Sequence, residues 1–167
     1  YKAEQIASAC LTEAPLDISV KSDPQAWAEK LGGIVTANDS VRRRTDGRIE
    51  DLSGYDEGSW WVQDAGAAIP VQLLGDIKGW KIADICAAPG GKTAQLAARG
   101  ADVVAIDLSP ERLRRVEANL IRLQLSADLR TADATDWSNG AAGMEFDAVL
   151  VDAPCTASGT IRRHPDI

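Results

Sequence analysis

KIADICAAPGGKTAQLAARGADVVAID, residues 81–107, decides the fold. An apolar run from Ile82 to Cys86 breaks at Pro89, Gly90 and Gly91, a helical stretch continues to Arg99, and a second apolar run fills Asp102 to Asp107. Strand, tight loop, helix and strand in that order predict parallel neighbours, because a parallel pair needs a crossover and a helix supplies it.

The pattern continues toward the C-terminus. SPERLRRVEANLIRLQL offers Ser109 as cap and Pro110 as first helical residue, with Leu113, Val116, Leu120 and Leu123 on one stripe. ADLRTAD and FDAVLVD then read as third and fourth strands, giving an α/β, doubly wound, Rossmann-like sheet. FDAVLV is apolar almost throughout, which predicts burial on both faces. No further strand pattern follows it, so the later strands of the sheet are expected to be missing from these 167 residues.

Toward the N-terminus the texture is shorter and more polar. LDISVK (Leu16 to Lys21) alternates like a strand, Asp23 and Pro24 open a helix over QAWAEKLGG that Gly32 and Gly33 close, and IVTANDSVRRR returns as a strand. Residues 16 to about 55 therefore read as a small β-α-β appendage, ending in the turn-rich DGRIEDLSGYDEGS. Asp64 is placed to cap a helix that turns Ile69, Leu73 and Leu74 toward the sheet, with Pro70 disturbing its first turn. The division expected is a small α+β appendage over 1–60 and the N-terminal part of a Rossmann-like domain over 61–167.

Composition removes several classes. At 45% hydrophobic and 26% charged residues the chain is an ordinary globular one, and a net charge of −7, mostly from residues before 80, excludes a wholesale basic coat. No run nears the ~20 apolar residues of a membrane span and no signal-peptide pattern opens the chain, so a cytoplasmic protein with no membrane partner is expected. Cys10, Cys86 and Cys155 include no CxxC pair and His164 is the single histidine, which predicts no metal site and no His-dependent triad.

The small residues of Cys86-Ala87-Ala88-Pro89-Gly90-Gly91-Lys92-Thr93 let backbone N–H groups approach a ligand at a strand-to-helix turn, the natural place for a nucleotide-like cofactor. A phosphate loop would need glycine where Cys86 stands and carries no proline such as Pro89, and the spacing G-x-G-x-x-G is absent. Asp107, Asp133 and Asp152 end the second, third and fourth strands, bringing three carboxylates to one rim, with Asp107 suited to ribose hydroxyls. Any one of them alone reads equally well as a cap for the next segment. Cys155, after Asp152-Ala153-Pro154, is the thiol beside this crevice, whereas Cys10 and Cys86 read as small buried fillers.

Basic clusters at Arg42, Arg43, Arg44 and Arg48, at Arg112, Arg114 and Arg115, and at Arg162, Arg163 and His164 are candidates for phosphate contact. Arg162 and Arg163, next to the Cys155 loop, are the favoured pair, and bracing the cofactor loop is the alternative role for Arg112. Trp60 and Trp61 fit core packing better than base stacking.

ADICAAPGGKT, VAIDLSPERL and LVDAPCTASGTIRRHPDI together resemble S-adenosylmethionine-dependent RNA cytosine carbon-5 methyltransferases of the bacterial Sun/Fmu (RsmB) type, which act on 16S ribosomal RNA. VQDAGA resembles the segment before the first motif, and DISVKSDPQAWAEKLGG resembles the family's small appendage, which implies an RNA-binding role for it. The resemblance implies that Cys86, Ala87, Ala88, Pro89, Gly90, Gly91 and Lys92 hold the methionine part of S-adenosylmethionine, with Arg112 beside them. Asp107 would take its ribose, Asp133 its adenine, and Asp152 would face both cofactor and base. In that family a thiolate adds to carbon 6 of cytosine so that carbon 5 takes the methyl group.

The family's nucleophile lies in a later T-C-S motif that these residues do not contain, and its D-A-P-C cysteine, matched by Cys155, assists release. From position alone Cys155 would be the nucleophile, as the Pro-Cys thiol is in DNA cytosine methyltransferases, and the family pattern overrules that. The expectation is cofactor binding without normal turnover, 16S ribosomal RNA as partner, a monomer when whole, and self-association of an open-edged fragment. A transfer-RNA methyltransferase and a non-catalytic cofactor- or RNA-binding module are the alternatives.

Overall fold

The structure, a computed structural model, describes residues 2–10, 14–44, 47–136, 141 and 143–155. These residues build two four-stranded sheets, one antiparallel and one parallel.

Helix α1 (Lys2–Cys10), for which the sequence pattern gives no expectation, precedes the first sheet. Its strands are β1 (Leu16–Val20), β2 (Ile34–Val35), β3 (Val41–Arg43) and β4 (Trp60–Val62), in the order β2-β3-β1-β4, with α2 (Pro24–Leu31) between β1 and β2. Asp23 caps α2 by accepting the Ala26 N–H at 3.0 Å, and Gly32 closes it in the left-handed region. The β-α-β expectation is corrected here. IVTANDSVRRR is a hairpin rather than one strand, because Thr36 accepts the Ser40 N–H at 3.1 Å and Asp39 takes a left-handed φ of 59°. Trp60–Val62 pairs with β1, Ser19 opposite Trp61, so the line drawn at 60/61 runs inside a strand of the first sheet.

The second sheet is β5 (Lys81–Ile85), β6 (Asp102–Asp107), β7 (Asp128–Thr131) and β8 (Ala148–Val151), all parallel in the order β7-β6-β5-β8, a Rossmann-like arrangement. Helices α3 (Ala65–Gln72), α4 (Gly91–Ala98) and α5 (Pro110–Arg122) accompany it. Ser109 caps α5 as expected, and Leu113, Val116, Leu120 and Leu123 are buried with Trp61, Ala88 and Ala94 in one cluster. Asp64 caps α3 and Leu74 packs on the core beside Val71 as expected, yet the helix buries Ala68 and Val71 and leaves Ile69 and Leu73 exposed. Small residues win there because α3 lies close on α4, with the Val71 carbonyl accepting from Arg99 and the Ala68 carbonyl from Gln95.

Strand β8 departs from its pattern too. Among the described residues it has one neighbour, β5, and Val149 and Val151 are 51% and 61% exposed rather than covered on both faces. No helix among the described residues is long and apolar enough to cross a membrane.

Candidate functional site: a cavity at the glycine loop

Strand β5 ends at Ile85, and the chain leaves it through Cys86 in a left-handed conformation. Gly90 is also left-handed, at φ 99°, and a Cβ there would sit 2.9 Å from Val116 Cγ1, so glycine is what lets the loop settle on α5. No side chain caps α4 at Gly90, which leaves first-turn N–H groups for a ligand.

The middle of the loop is clamped from both sides. Asp107 accepts the Ala88 N–H at 3.1 Å, Arg112 Nη2 donates to the Ala88 carbonyl at 2.7 Å, and Arg112 Nη1 lies 3.5 Å from the Asp107 carboxylate. Asp107 also accepts the Ser109 N–H at 3.0 Å and is 3% exposed, so one carboxylate ties the loop to the start of α5. Arg112 braces the loop, the alternative role expected for it.

A cavity of about 520 Å³ opens between this loop and the first sheet. Its lining includes Cys86 through Lys92, Asp84 and Asp152, together with Trp61 and Gln63 from the end of the first sheet, and Tyr55 and Arg122. Asp84 is fully buried, accepts the Thr93 hydroxyl at 2.6 Å through Oδ2, and has no partner at Oδ1. Burial pushes its carboxyl up to about 6, against the opposing pull of the Thr93 bond and of Lys92. Lys92 Nζ pairs with Asp152 at 2.6 Å across the mouth. The Cys86 thiol is half-buried, and burial followed by the Asp107 charge pushes its pKa up, which suits a wall residue better than a nucleophile.

The expected site residues divide accordingly. Cys86, Ala87, Ala88, Pro89, Gly90, Gly91, Lys92 and Asp152 line the cavity, whereas Asp107 and Arg112 stand behind the loop. Asp133 is exposed and away from the cavity lining; its carboxylate accepts the Thr135 N–H at 2.8 Å and hydroxyl at 2.7 Å, and these bonds lower its pKa. Cys155 is exposed and also off the lining. Arg162, Arg163 and His164 lie outside the described residues. Arg42 is committed to a two-pronged pair with buried Asp17 at 2.7 and 2.8 Å, and Trp60 and Trp61 are core residues. Sequence reasoning missed Asp84 and Gln63. The signal for Asp84 was present, a lone carboxylate inside an apolar parallel strand two residues before the loop.

A parallel sheet whose first strand turns through a glycine loop, with acidic residues at the same rim, defines a nucleoside-cofactor-binding α/β protein of the methyltransferase class. Residues 71–167 match the family described as 16S rRNA methyltransferase RsmB/F, and the chain belongs to that family. It is 40% identical over 176 aligned residues to the ribosomal RNA small subunit methyltransferase B of Vibrio cholerae, covering 98% of this chain and 41% of the relative. The protein of the same description from Yersinia enterocolitica is 47% identical over 131 residues, covering 77% of this chain. The chain thus spans 30% to 41% of the length of these two relatives. A crystal structure of a methyltransferase homolog protein from Pyrococcus horikoshii superposes with a TM-score of 0.77 at 30% identity, over 97% of this chain and 57% of that one. S-adenosylmethionine is the cofactor of this class.

Proposed function

We propose that the chain is the cofactor-binding part of an enzyme that methylates carbon 5 of cytosine in 16S ribosomal RNA. The observation that carries the reading is the cavity lined by Cys86–Lys92, where the buried Asp84 Oδ1 has no donor. An unpaired buried acceptor is costly, and the ammonium group of the cofactor's amino-acid end satisfies it. The uncapped start of α4 suits the carboxylate of the same end. The residues present therefore fit S-adenosylmethionine, which when bound supplies an electrophilic methyl group.

The chain's own residues have separate tasks in this reading. Asp107 and Arg112 hold Ala88 from both sides, keeping the loop in shape, and Asp107 takes the ribose. Lys92, paired with Asp152, balances charge at the mouth, where Asp152 faces the target base. Asp133 takes the adenine, Cys155 assists release of the methylated base, and Arg162 and Arg163 meet RNA phosphates. In place of a division at 60/61, the antiparallel sheet through β4 belongs to the RNA side and the parallel sheet from β5 onward to the cofactor side. The relatives' description favours ribosomal over transfer RNA as substrate. The 167 residues hold no Thr-Cys-Ser, so binding without turnover is the expectation.

Calorimetry with S-adenosylhomocysteine, paired with methyl transfer to unmodified 16S ribosomal RNA, tests the proposal. One molecule bound per chain with no labelled RNA is expected. Absence of binding overturns the cofactor reading, and labelled cytosine overturns the assignment of the nucleophile to a T-C-S motif.

A further inference from the structure

We propose that the end of β4 is a working part of the cofactor loop's support, with Gln63 as the positioning residue that fixes α4 and hence the loop. This inference rests on the cofactor reading above. Two contacts join the first sheet to the loop. Trp61 is buried in one cluster with Ala88 and Ala94, and the Gln63 side chain packs on the start of α4, its Cγ and Cδ 3.6 and 3.7 Å from where a Cβ on Gly91 would stand.

The amide of Gln63 is fully used. Oε1 accepts the Ser19 hydroxyl at 2.8 Å and the Trp61 indole N–H at 2.9 Å, while Nε2 donates to Gln95 Oε1 at 3.0 Å and to the Ala67 carbonyl at 3.4 Å. Gln95 passes the chain on, donating to the Ala68 carbonyl at 2.9 Å. Ser19, Trp61, Gln63 and Gln95 are all buried, so water cannot replace a lost partner without entering the core. The network holds β1, β4, α3 and α4 at one point.

Its geometry bears on the ligand through α4. Gln95 lies one turn beyond Gly91, so anchoring it fixes the rotation of the helix whose first turn carries Lys92 toward Asp152 and Thr93 toward Asp84. Releasing that anchor shifts the loop N–H groups together with both side chains. Residues 71–167, the stretch that matches the family, begin after β4 and lack this wall.

A merely structural network would lower the melting temperature and leave cofactor affinity alone, so the test reads both in the full chain. Gln63→Leu and Gln95→Leu are compared with Asn38→Ala, which cuts a different tie between the first sheet and α3, the bond from Asn38 to the Ala65 carbonyl. The expected result is at least a tenfold rise in the S-adenosylhomocysteine Kd for each glutamine variant, no further rise in the double variant, and a change within twofold for Asn38→Ala. An unchanged Kd in the glutamine variants, or an equal rise in all three, overturns the inference. Should Gln63→Leu not fold, Gln95→Leu decides by the same criterion. A wild-type chain that binds nothing sinks the cofactor reading and this inference with it, whereas normal wild-type binding with unaffected glutamine variants sinks only the inference.

Discussion

Two buried aspartates stand near the same rim of the parallel sheet and differ in who uses them. Asp107, at the end of β6, is surrounded by donors from its own chain: two backbone N–H groups and the nearby Arg112 guanidinium. Asp84, in β5, has one hydroxyl on one oxygen and nothing on the other. The first carboxylate already fastens the loop before it is asked to take a ribose, whereas the second is an acceptor held ready in the cavity wall. Position at a strand end does not separate these roles; the count of satisfied lone pairs does.

The comparison breaks if the two residues respond alike to removal. Asp107→Ala leaves the Ala88 and Ser109 N–H groups without their acceptor, and hydrogen bonds to a charged group are worth about 1.5–3 kcal/mol each, so a loss of about 3–6 kcal/mol is expected in urea unfolding. Asp84→Asn should act in the opposite direction. The folded carboxyl keeps its proton up to about 6 while the unfolded chain releases it near 3.8, so the native state binds more protons between those values. The contribution of Asp84 to stability is therefore full below pH 4, falls as pH rises through 6, and becomes a constant penalty above. At pH 7 Asp84→Asn is expected to gain up to about 3 kcal/mol over the native chain, a gain that shrinks as pH falls toward 4 and vanishes below the unfolded value of 3.8. Destabilisation of equal size at both pH values would show that the charge of Asp84 is not what costs stability.

The same titration sharpens the ligand side of the comparison. A cationic group arriving at Oδ1 favours the charged carboxylate, so binding below pH 6 must release a proton. S-adenosylhomocysteine affinity is expected to fall roughly tenfold from pH 7 to pH 5, and Asp84→Asn should flatten that profile. A slope that survives the substitution assigns the proton to another group.

Much of this was legible beforehand and part was not, for physical reasons. The parallel sheet was readable because each strand, loop and cap from Lys81 to Thr131 signals its own type: Pro110 and Ser109 start α5, and its apolar stripe has the period of a helix. The first sheet was misread because β2, β3 and β4 are two or three residues long, too short for alternation to register, and because pairing Trp60–Val62 with β1 is a long-range event. The face of α3 was misread because close helix approach selects Ala68 over the bulkier Ile69. Gln63 was invisible for a similar reason, since all of its partners except Trp61 and Ala67 are distant in sequence.

Asp133 supplies the smallest expected effect and a third kind of carboxylate. It ends the segment after β7 as the sequence pattern suggests, yet its Oδ1 takes both the N–H and the hydroxyl of Thr135, an ordinary local turn, and the group is exposed. One oxygen thus serves the turn, which leaves the other to accept a donor such as the amino group of adenine. Asp133→Ala should weaken S-adenosylhomocysteine binding roughly fivefold, in line with the loss of one partly solvated hydrogen bond, and should barely move the melting temperature because the turn it serves is solvated. Asp133→Asn keeps an acceptor and should recover most of the affinity. If neither variant alters the Kd, the carboxylate belongs to the turn alone, and the adenine contact has to be sought elsewhere on the rim.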